Sequence, residues 1–372
     1  MRFFSLSNFV YLSLRILKSL DKRRTGIEDF RPEAVQSILL VACTAIGDTL
    51  LSTPAIRAVR KRYPKARIIA FFNSKNEELF SNNPNIDGVI SYYGGWKRFF
   101  STIKALRKHS FDLALILHGN EPQATPLCYL SGARFILKIP NDNRFNFLLS
   151  NREALVRRGE LGHGILTRLQ TAALAGCPED GVRMELFFEK RDLLGADAFL
   201  ASTDTRAKGD ILVGFQPGAS TVSRQWFPER FIELGKKILS THPEYRIILT
   251  GSPSERALCE NIKTKIGQRA FVAAGSLPLR EAAALIKRLN VLVTGDTGPM
   301  HIAITVGTPV VALYAAADSA CSGPLYDTKR HRVIKKEKTC EPCISRRCRY
   351  QECMEQITVD EVFEAVVDIL EK

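Results

Sequence analysis

Short runs of β-branched and aliphatic residues, each followed by a stretch with helical spacing, recur along nearly the whole chain, and this alternation most limits the folds open to it. In the first half the apolar runs are Ser37–Val41, Arg67–Phe72, Val89–Tyr92, Leu113–Leu117 and Phe135–Ile139. Helical stretches at Thr49–Arg62, around Glu77–Ser81 and at Trp96–His109 separate several of them. In the second half the runs are Ile211–Phe215, Arg246–Thr250, Phe271–Ala273, Val291–Thr294 and Pro309–Tyr314. Helical spacing follows at Glu229–Leu239, Glu255–Ile266, Leu279–Arg288 and Gly298–Val306. Strand–helix–strand units of this kind give parallel sheets covered on both faces. A chain of 372 residues exceeds one ordinary core, so two domains are expected. The breaker cluster Gly176-Cys177-Pro178-Glu179-Asp180-Gly181 falls between the two series and is the expected hinge. The predicted architecture is α/β: two doubly wound, Rossmann-like halves facing a central cleft, where a ligand meets the carboxyl ends of the strands. The predicted divisions are an N-terminal segment 1–30, a first domain 31–178, a second domain 179–355 and a C-terminal helix 356–372.

Charge narrows the partners. Fifty-three Lys and Arg against 39 Asp and Glu give a net +14, which favours anionic partners: nucleic acid, an anionic membrane surface or a phosphorylated substrate. No nucleic-acid-binding motif accompanies the charge, so nucleic acid is not an expected partner. The first 24 residues mix apolar side chains with Arg15 and Lys18 and end in Lys22-Arg23-Arg24. That stretch is too short and too charged to span a bilayer, and its heaviest charge comes last, unlike a secretory signal. An interfacial helix with a basic skirt is expected, placing the protein in the cytoplasm at the inner face of the membrane. Nine cysteines, an odd number, argue against a disulfide framework. Cys340, Cys343, Cys348 and Cys353 crowd together as C-x2-C-x4-C-x4-C, a spacing that could hold a structural zinc or an iron–sulfur centre.

Three strand-to-helix junctions carry the candidate chemistry. In Ala45-Ile46-Gly47-Asp48-Thr49, Gly47 allows a tight turn near a ligand, and Asp48 sits at a helix start, where an N-cap is its ordinary use. In Gln216-Pro217-Gly218-Ala219-Ser220, small residues offer backbone N–H groups and the Ser220 hydroxyl, and Arg224 supplies a fork of donors for phosphate. In Thr294-Gly295-Asp296-Thr297-Gly298-Pro299-Met300-His301, a strand turns into a helix whose N-terminus suits a pyrophosphate, with His301 in the first turn. His118-Gly119-Asn120, after the Leu113–Leu117 run, is an expected acceptor-side contact. No Asp-x-Asp pair occurs anywhere, so a donor diphosphate would lack the usual carboxylate-held metal and no catalytic cofactor is expected.

Taken together these segments resemble the signatures of glycosyltransferase family 9, the ADP-heptose:lipopolysaccharide heptosyltransferases. The resemblance runs from Gly47-Asp48 and Thr53-Pro54, through Gln216-Pro217-Gly218-Ala219-Ser220 with Arg224-Gln225-Trp226, to Asp296–His301 and Gly307-Thr308-Pro309. Asn83-Pro84-Asn85-Ile86-Asp87 and Leu249–Pro253 fit as well. It implies a GT-B fold and an inverting transfer of sugar, most simply heptose from ADP-heptose, to a lipid-linked or phosphorylated glycan acceptor. It also implies Asp48 as general base, Ser220, Arg224, Thr297 and Gly298 on the donor phosphates, Glu255 on the nucleotide ribose, and Asp296 and His301 in the donor site. Arg224 stands where the family usually has Lys, and Ala42 and Thr44 where it often has Arg and a Gly or Ser; these departures bear on acceptor identity and donor placement. The alternatives are a GT-B relative acting on a nucleotide sugar without an acceptor, as an epimerase does, or transfer of a different sugar.

Overall fold

The computed structural model describes residues 6–372 except 120, 142, 152–154, 157–159, 204–209, 341–342, 344–347 and 349. The chain forms two compact units, Met1–Met184 and Glu185–Lys372.

The first unit is built on five parallel strands, β1 (Ser37–Ala42), β2 (Arg67–Asn73), β3 (Gly88–Tyr92), β4 (Leu113–His118) and β5 (Phe135–Leu137), in the order β3-β2-β1-β4-β5. Central β1 reads Ser-Ile-Leu-Leu-Val-Ala and is buried from its second residue on, as a strand covered on both faces must be. The stretch predicted as one helix over Thr49–Arg62 is two helices, Ile46–Leu50 and Thr53–Arg62. Pro54 is the cause: it has no N–H to give inside a helix but is accommodated in the first turn of a new one. Helix Leu6–Leu20 belongs to this unit, with Val10 and Leu14 inside its core beside Phe145 and Leu148. The breaker cluster at Gly176–Gly181 closes the first unit. Arg57 and Lys61 both pair with Asp180, and the Tyr63 hydroxyl donates to the Ala175 carbonyl at 2.5 Å.

The second unit has six parallel strands, β6 (Ile211–Gln216), β7 (Tyr245–Leu249), β8 (Ala270–Val272), β9 (Val291–Gly295), β10 (Val310–Tyr314) and β11 (Arg332–Lys335), ordered β11-β10-β9-β6-β7-β8. Strand β11 is not among the runs predicted from sequence. It lies at the sheet edge and alternates half-buried with exposed residues, so it lacks the continuous apolar run that marks the others. Helix Val359–Leu370 packs Val359, Val362 and Val366 into this unit's core. Two neighbouring helices, Lys190–Ser202 and Leu279–Arg288, are joined by a buried ion pair in which Arg280 reaches Asp192 at 2.6 and 3.0 Å.

Candidate active site

Each unit presents a polar cluster at the carboxyl ends of its central strands. In the first unit, β1 leads through Cys43–Ala45 into helix Ile46–Leu50, and Asp48 is the third residue of that helix. The N-cap position is held by Ala45, so the capping role open to Asp48 from sequence is not the one it plays. Its carboxylate Oδ1 instead meets Arg168 Nη2 at 3.1 Å and His118 Nε2 at 3.4 Å. His118 arrives there through backbone geometry. The β1–β4 register slips by one residue between Val41 and Ala42, which pairs Ala42 with His118 at the sheet end. Arg168 comes from helix Gly164–Ala173, and its side chain is 4 % exposed. It is fixed by two more contacts: Nε donates to Ser52 Oγ at 2.9 Å and Nη1 donates to Gly164 O at 2.6 Å; Ser52 Oγ in turn donates to the Asp48 carbonyl at 2.9 Å. Burial pulls the Arg168 guanidinium below its ordinary value, and the Asp48 carboxylate opposes that fall. A carboxylate about one-third exposed and gripped by a buried cation is a fixed acceptor for a proton or a hydroxyl hydrogen.

The surrounding loop is equally constrained. Gly47 is buried, and Asn76 Nδ2 donates to the Thr44 carbonyl at 2.9 Å. After β4, a side chain at Gly119 would collide with Ile116 at 2.7 Å, so glycine is required for the close approach. The Gly119 carbonyl accepts from the buried Lys138 Nζ at 3.4 Å, and Lys138 also donates to Asn141 Oδ1 at 2.7 Å. Burial lowers the Lys138 ammonium to about 8. Asn120, expected on the acceptor side, lies outside the described residues.

In the second unit three segments converge. Arg224 closes the short turn Val222–Arg224 after the Pro217–Thr221 loop, and its guanidinium contacts Asp296 twice, at Oδ2 (3.2 Å) and at the carbonyl (3.3 Å). Gly295 permits this: a Cβ there would meet the Arg224 carbonyl at 2.3 Å. Asp296 is buried, accepts from Ser322 Oγ at 3.2 Å, and lies 3.9 Å from His301 Nε2. Thr297 stands at the N-cap of helix Gly298–Val306, but its hydroxyl partners Thr294 at 2.9 Å, and the turn ends in Pro299. The N-terminus of a nine-residue helix therefore opens beside the Arg224–Asp296 pair. Ser220 is exposed on the preceding loop. Glu255 lies against Gly218, where any side chain would strike its carboxylate. It is also occupied locally, since its Oε2 accepts from the Ser252 N–H at 2.6 Å in a capping box.

The loop that carries Arg224 is stitched to the C-terminal part of the unit. Buried Trp226 donates to the Ile357 carbonyl at 3.1 Å, and Gln351 Nε2 donates to the Gln225 carbonyl at 2.8 Å. Beside these residues in sequence lie the clustered cysteines: Cys340 exposed, Cys343 and Cys348 half-buried, Cys353 buried. The Thr339 N–H donates to Cys353 Sγ at 3.3 Å. Among the described residues no group of three or more His, Cys, Asp or Glu is arranged to hold a metal ion, so the closed ligand set that the spacing allowed is not assembled there.

Sequence pattern located Asp48, His118, Arg224, Asp296, Thr297 and His301, and the structure gathers the first two in one unit and the rest in the other. It does not find Arg168, Ser52 or Ser322, whose contacts join residues from four to 120 positions apart.

Two doubly wound parallel units with such clusters at their strand ends are the GT-B type of fold. The model of glycosyltransferase family 9 (heptosyltransferase) matches residues 99–354, and the chain belongs to that family. It is 26 % identical over 296 residues to the lipopolysaccharide core heptosyltransferase OpsX of Haemophilus influenzae, spanning 76 % of this chain and 80 % of that one. The fold matches a glycosyltransferase family 9 structure from Veillonella parvula with TM-score 0.76 and 22 % identity, covering 91 % and 98 % of the two chains. It matches E. coli ADP-heptose lps heptosyltransferase II with TM-score 0.73 and 21 % identity, covering 90 % and 99 %.

Proposed function

We propose that this glycosyltransferase moves heptose from ADP-heptose onto a lipopolysaccharide core or a similar lipid-linked glycan, with inversion at the anomeric carbon and Asp48 as general base. The observation that carries the reading is the grip of Arg168 and His118 on the Asp48 carboxylate at the carboxyl end of β1. An acceptor hydroxyl attacks the anomeric carbon. Its new C–O bond forms as the bond to the diphosphate oxygen breaks, and its proton passes to Asp48. Arg168 keeps that carboxylate aimed; His118 and the adjoining Gly47 and Asn120 serve the acceptor. Arg224, Ser220 and the Thr297–Gly298 amides hold the departing ADP, whose charge grows as the bond breaks. Asp296 and His301 position Arg224, and Glu255 serves the nucleotide ribose. Because the acceptor is lipid-linked, the reaction belongs at the inner face of the cytoplasmic membrane; no helix among the described residues is long and apolar enough to cross one.

The direct test is transfer from ADP-heptose to a heptose-deficient core acceptor, with product linkage read by NMR. Conversion of ADP-heptose in the absence of acceptor would favour an epimerase-like activity instead. Arg224→Ala should weaken ADP-heptose binding and slow turnover together, since the same charge is held in ground and transition states. Thermal shift titrated with ADP-heptose measures the first effect and steady-state kinetics the second; a fall in only one would remove Arg224 from the phosphate. Transfer should persist in EDTA, because the donor segments offer Arg224 and a helix N-terminus and the chain has no Asp-x-Asp pair. Activity restored to a chelated enzyme only by Mg²⁺ would contradict this. The cysteine loop enters only as a structural element. One equivalent of zinc or iron in anaerobically purified protein would assign it a structural metal, and four titratable thiols without metal would leave it a reduced loop.

A further inference from the structure

Helix Leu6–Leu20 carries more apolar surface than its own protein covers. At 100° per residue its apolar side chains spread over more than half the circumference. Val10 and Leu14, one turn apart, occupy one edge of that arc and are buried in the first unit's core. Tyr11 adds edge-on contacts to Phe145 and Phe147 at 5.8 and 5.6 Å between ring centres. These contacts fix the helix in rotation. The rest of the arc then points away from the protein: Phe9, Leu12, Ile16 and Leu20, at spacings of three, four and four, are 59, 62, 61 and 70 % exposed, and Leu6 and Leu17 lie beside them. A folded soluble surface rarely leaves so many large aliphatic side chains contiguous and bare.

The charges on the same stretch decide what covers that stripe. From Leu6 to Arg24 there are five cations, Arg15, Lys18, Lys22, Arg23 and Arg24, and one acid, Asp21. Asp21 is spent on Arg23 at 2.8 Å. Lys18 donates to Thr25 at 2.8 Å and turns toward the protein, whereas exposed Arg15, 4.9 Å from the centre of the Phe147 ring, flanks the stripe on the Leu12 side, and exposed Lys22 and Arg24 follow its C-terminal end. An apolar strip bordered by cations, on a helix of 15 residues, is too short to cross a bilayer and suited to lie in its surface plane. We infer that the outer face of helix Leu6–Leu20 docks the protein on an anionic phospholipid bilayer, with Phe9, Leu12, Ile16 and Leu20 entering one leaflet and the basic residues at its border meeting the lipid phosphates. The inference deepens the proposed function and rests on the lipid-linked acceptor for its purpose, though not for its physics.

Truncation is the wrong test, because removing the helix also takes Val10 and Leu14 out of the core. The informative variant changes only exposed positions: Phe9→Ser, Leu12→Ser, Ile16→Ser and Leu20→Ser together. Co-sedimentation of the full chain is measured with vesicles of phosphatidylcholine alone and of phosphatidylcholine with phosphatidylglycerol, both free of glycan acceptor. The unmodified protein should bind the phosphatidylglycerol vesicles, less so at high salt. The variant should bind at least about tenfold more weakly while melting at the same temperature and keeping transfer to a water-soluble acceptor. Equal partitioning of the two proteins would overturn the inference. So would self-association of the unmodified protein, lost in the variant, without vesicle binding, which would make the stripe a contact between copies. Loss of transfer to the soluble acceptor in both proteins, with vesicle binding intact, would strike the proposed reaction and leave the docking surface standing.

Discussion

Asp48→Asn should lose about 10²–10⁴-fold in turnover while ADP-heptose affinity stays nearly unchanged. The amide keeps the size of the carboxylate and can still accept from Arg168 and His118, but it cannot take up the acceptor proton. In the proposed reaction the donor is held by groups of the other unit, around Arg224 and Thr297, and not by Asp48. Arg168 is buried, so the substitution also leaves a guanidinium without its anion, although Ser52 and Gly164 still engage it. The melting temperature of the variant therefore has to be read beside its kinetics. A folded Asn variant turning over near the normal rate would return Asp48 to a purely structural position under Arg168.

The largest expected effect on stability lies elsewhere. Arg280→Met should destabilise the second unit by about 3–5 kcal/mol, because it strands the Asp192 carboxylate inside the protein. Both side chains are 4 % exposed, and Arg280 also donates to the Phe187 carbonyl at 2.9 Å. Burial by itself would push the Asp192 carboxyl up, but hydrogen bonds from Arg280 and the Glu189 N–H outweigh it and hold the group below the ordinary carboxylate value. A folded value below the unfolded one gives stabilisation that is complete above the unfolded value, about 3.9, and is lost as pH falls through the folded value. The parent protein should therefore lose this contribution only in acid below about pH 4, and Arg280→Met should have lost it already at neutral pH. Urea unfolding of both proteins at neutral and acid pH measures this. Adding Asp192→Leu should recover part of the loss, since an apolar pair replaces a broken ionic one. A single variant as stable as its parent would show that the pair is unimportant to the packing of the two helices.

What the sequence made legible follows from what each element buries. Strands covered on both faces, such as Ser37–Ala42 and Val291–Gly295, write themselves as unbroken apolar runs. Edge strand Arg332–Lys335 buries only half its side chains and reads as ordinary polar chain. Pro54 was visible, but the helical spacing around it outweighed its effect and concealed the break. The site divides the same way. Residues fixed by local turn chemistry, Asp48, Arg224 and Thr297, sit in short motifs. Arg168 sits in a plain amphipathic helix, and its role exists only because folding brings it to a residue 120 positions earlier. The breakers at Gly176–Gly181 announced a turn; the Arg57–Asp180 and Lys61–Asp180 pairs, which nothing local announces, keep that turn with the first unit.

The bonds from Trp226 to Ile357 and from Gln351 to Gln225 reach across more than a hundred residues of chain. They set an order of events during synthesis. The strand and loop that present Arg224 are made early, yet they cannot be locked in place until the ribosome has passed Ile357. Until then the loop that carries Arg224 lacks these two bonds, and Trp226 has no partner at Ile357 for its indole N–H. A chain stalled or clipped between the cysteine loop and Ile357 would keep the segments that form the sheet and lack the Trp226–Ile357 bond that holds the Arg224 loop.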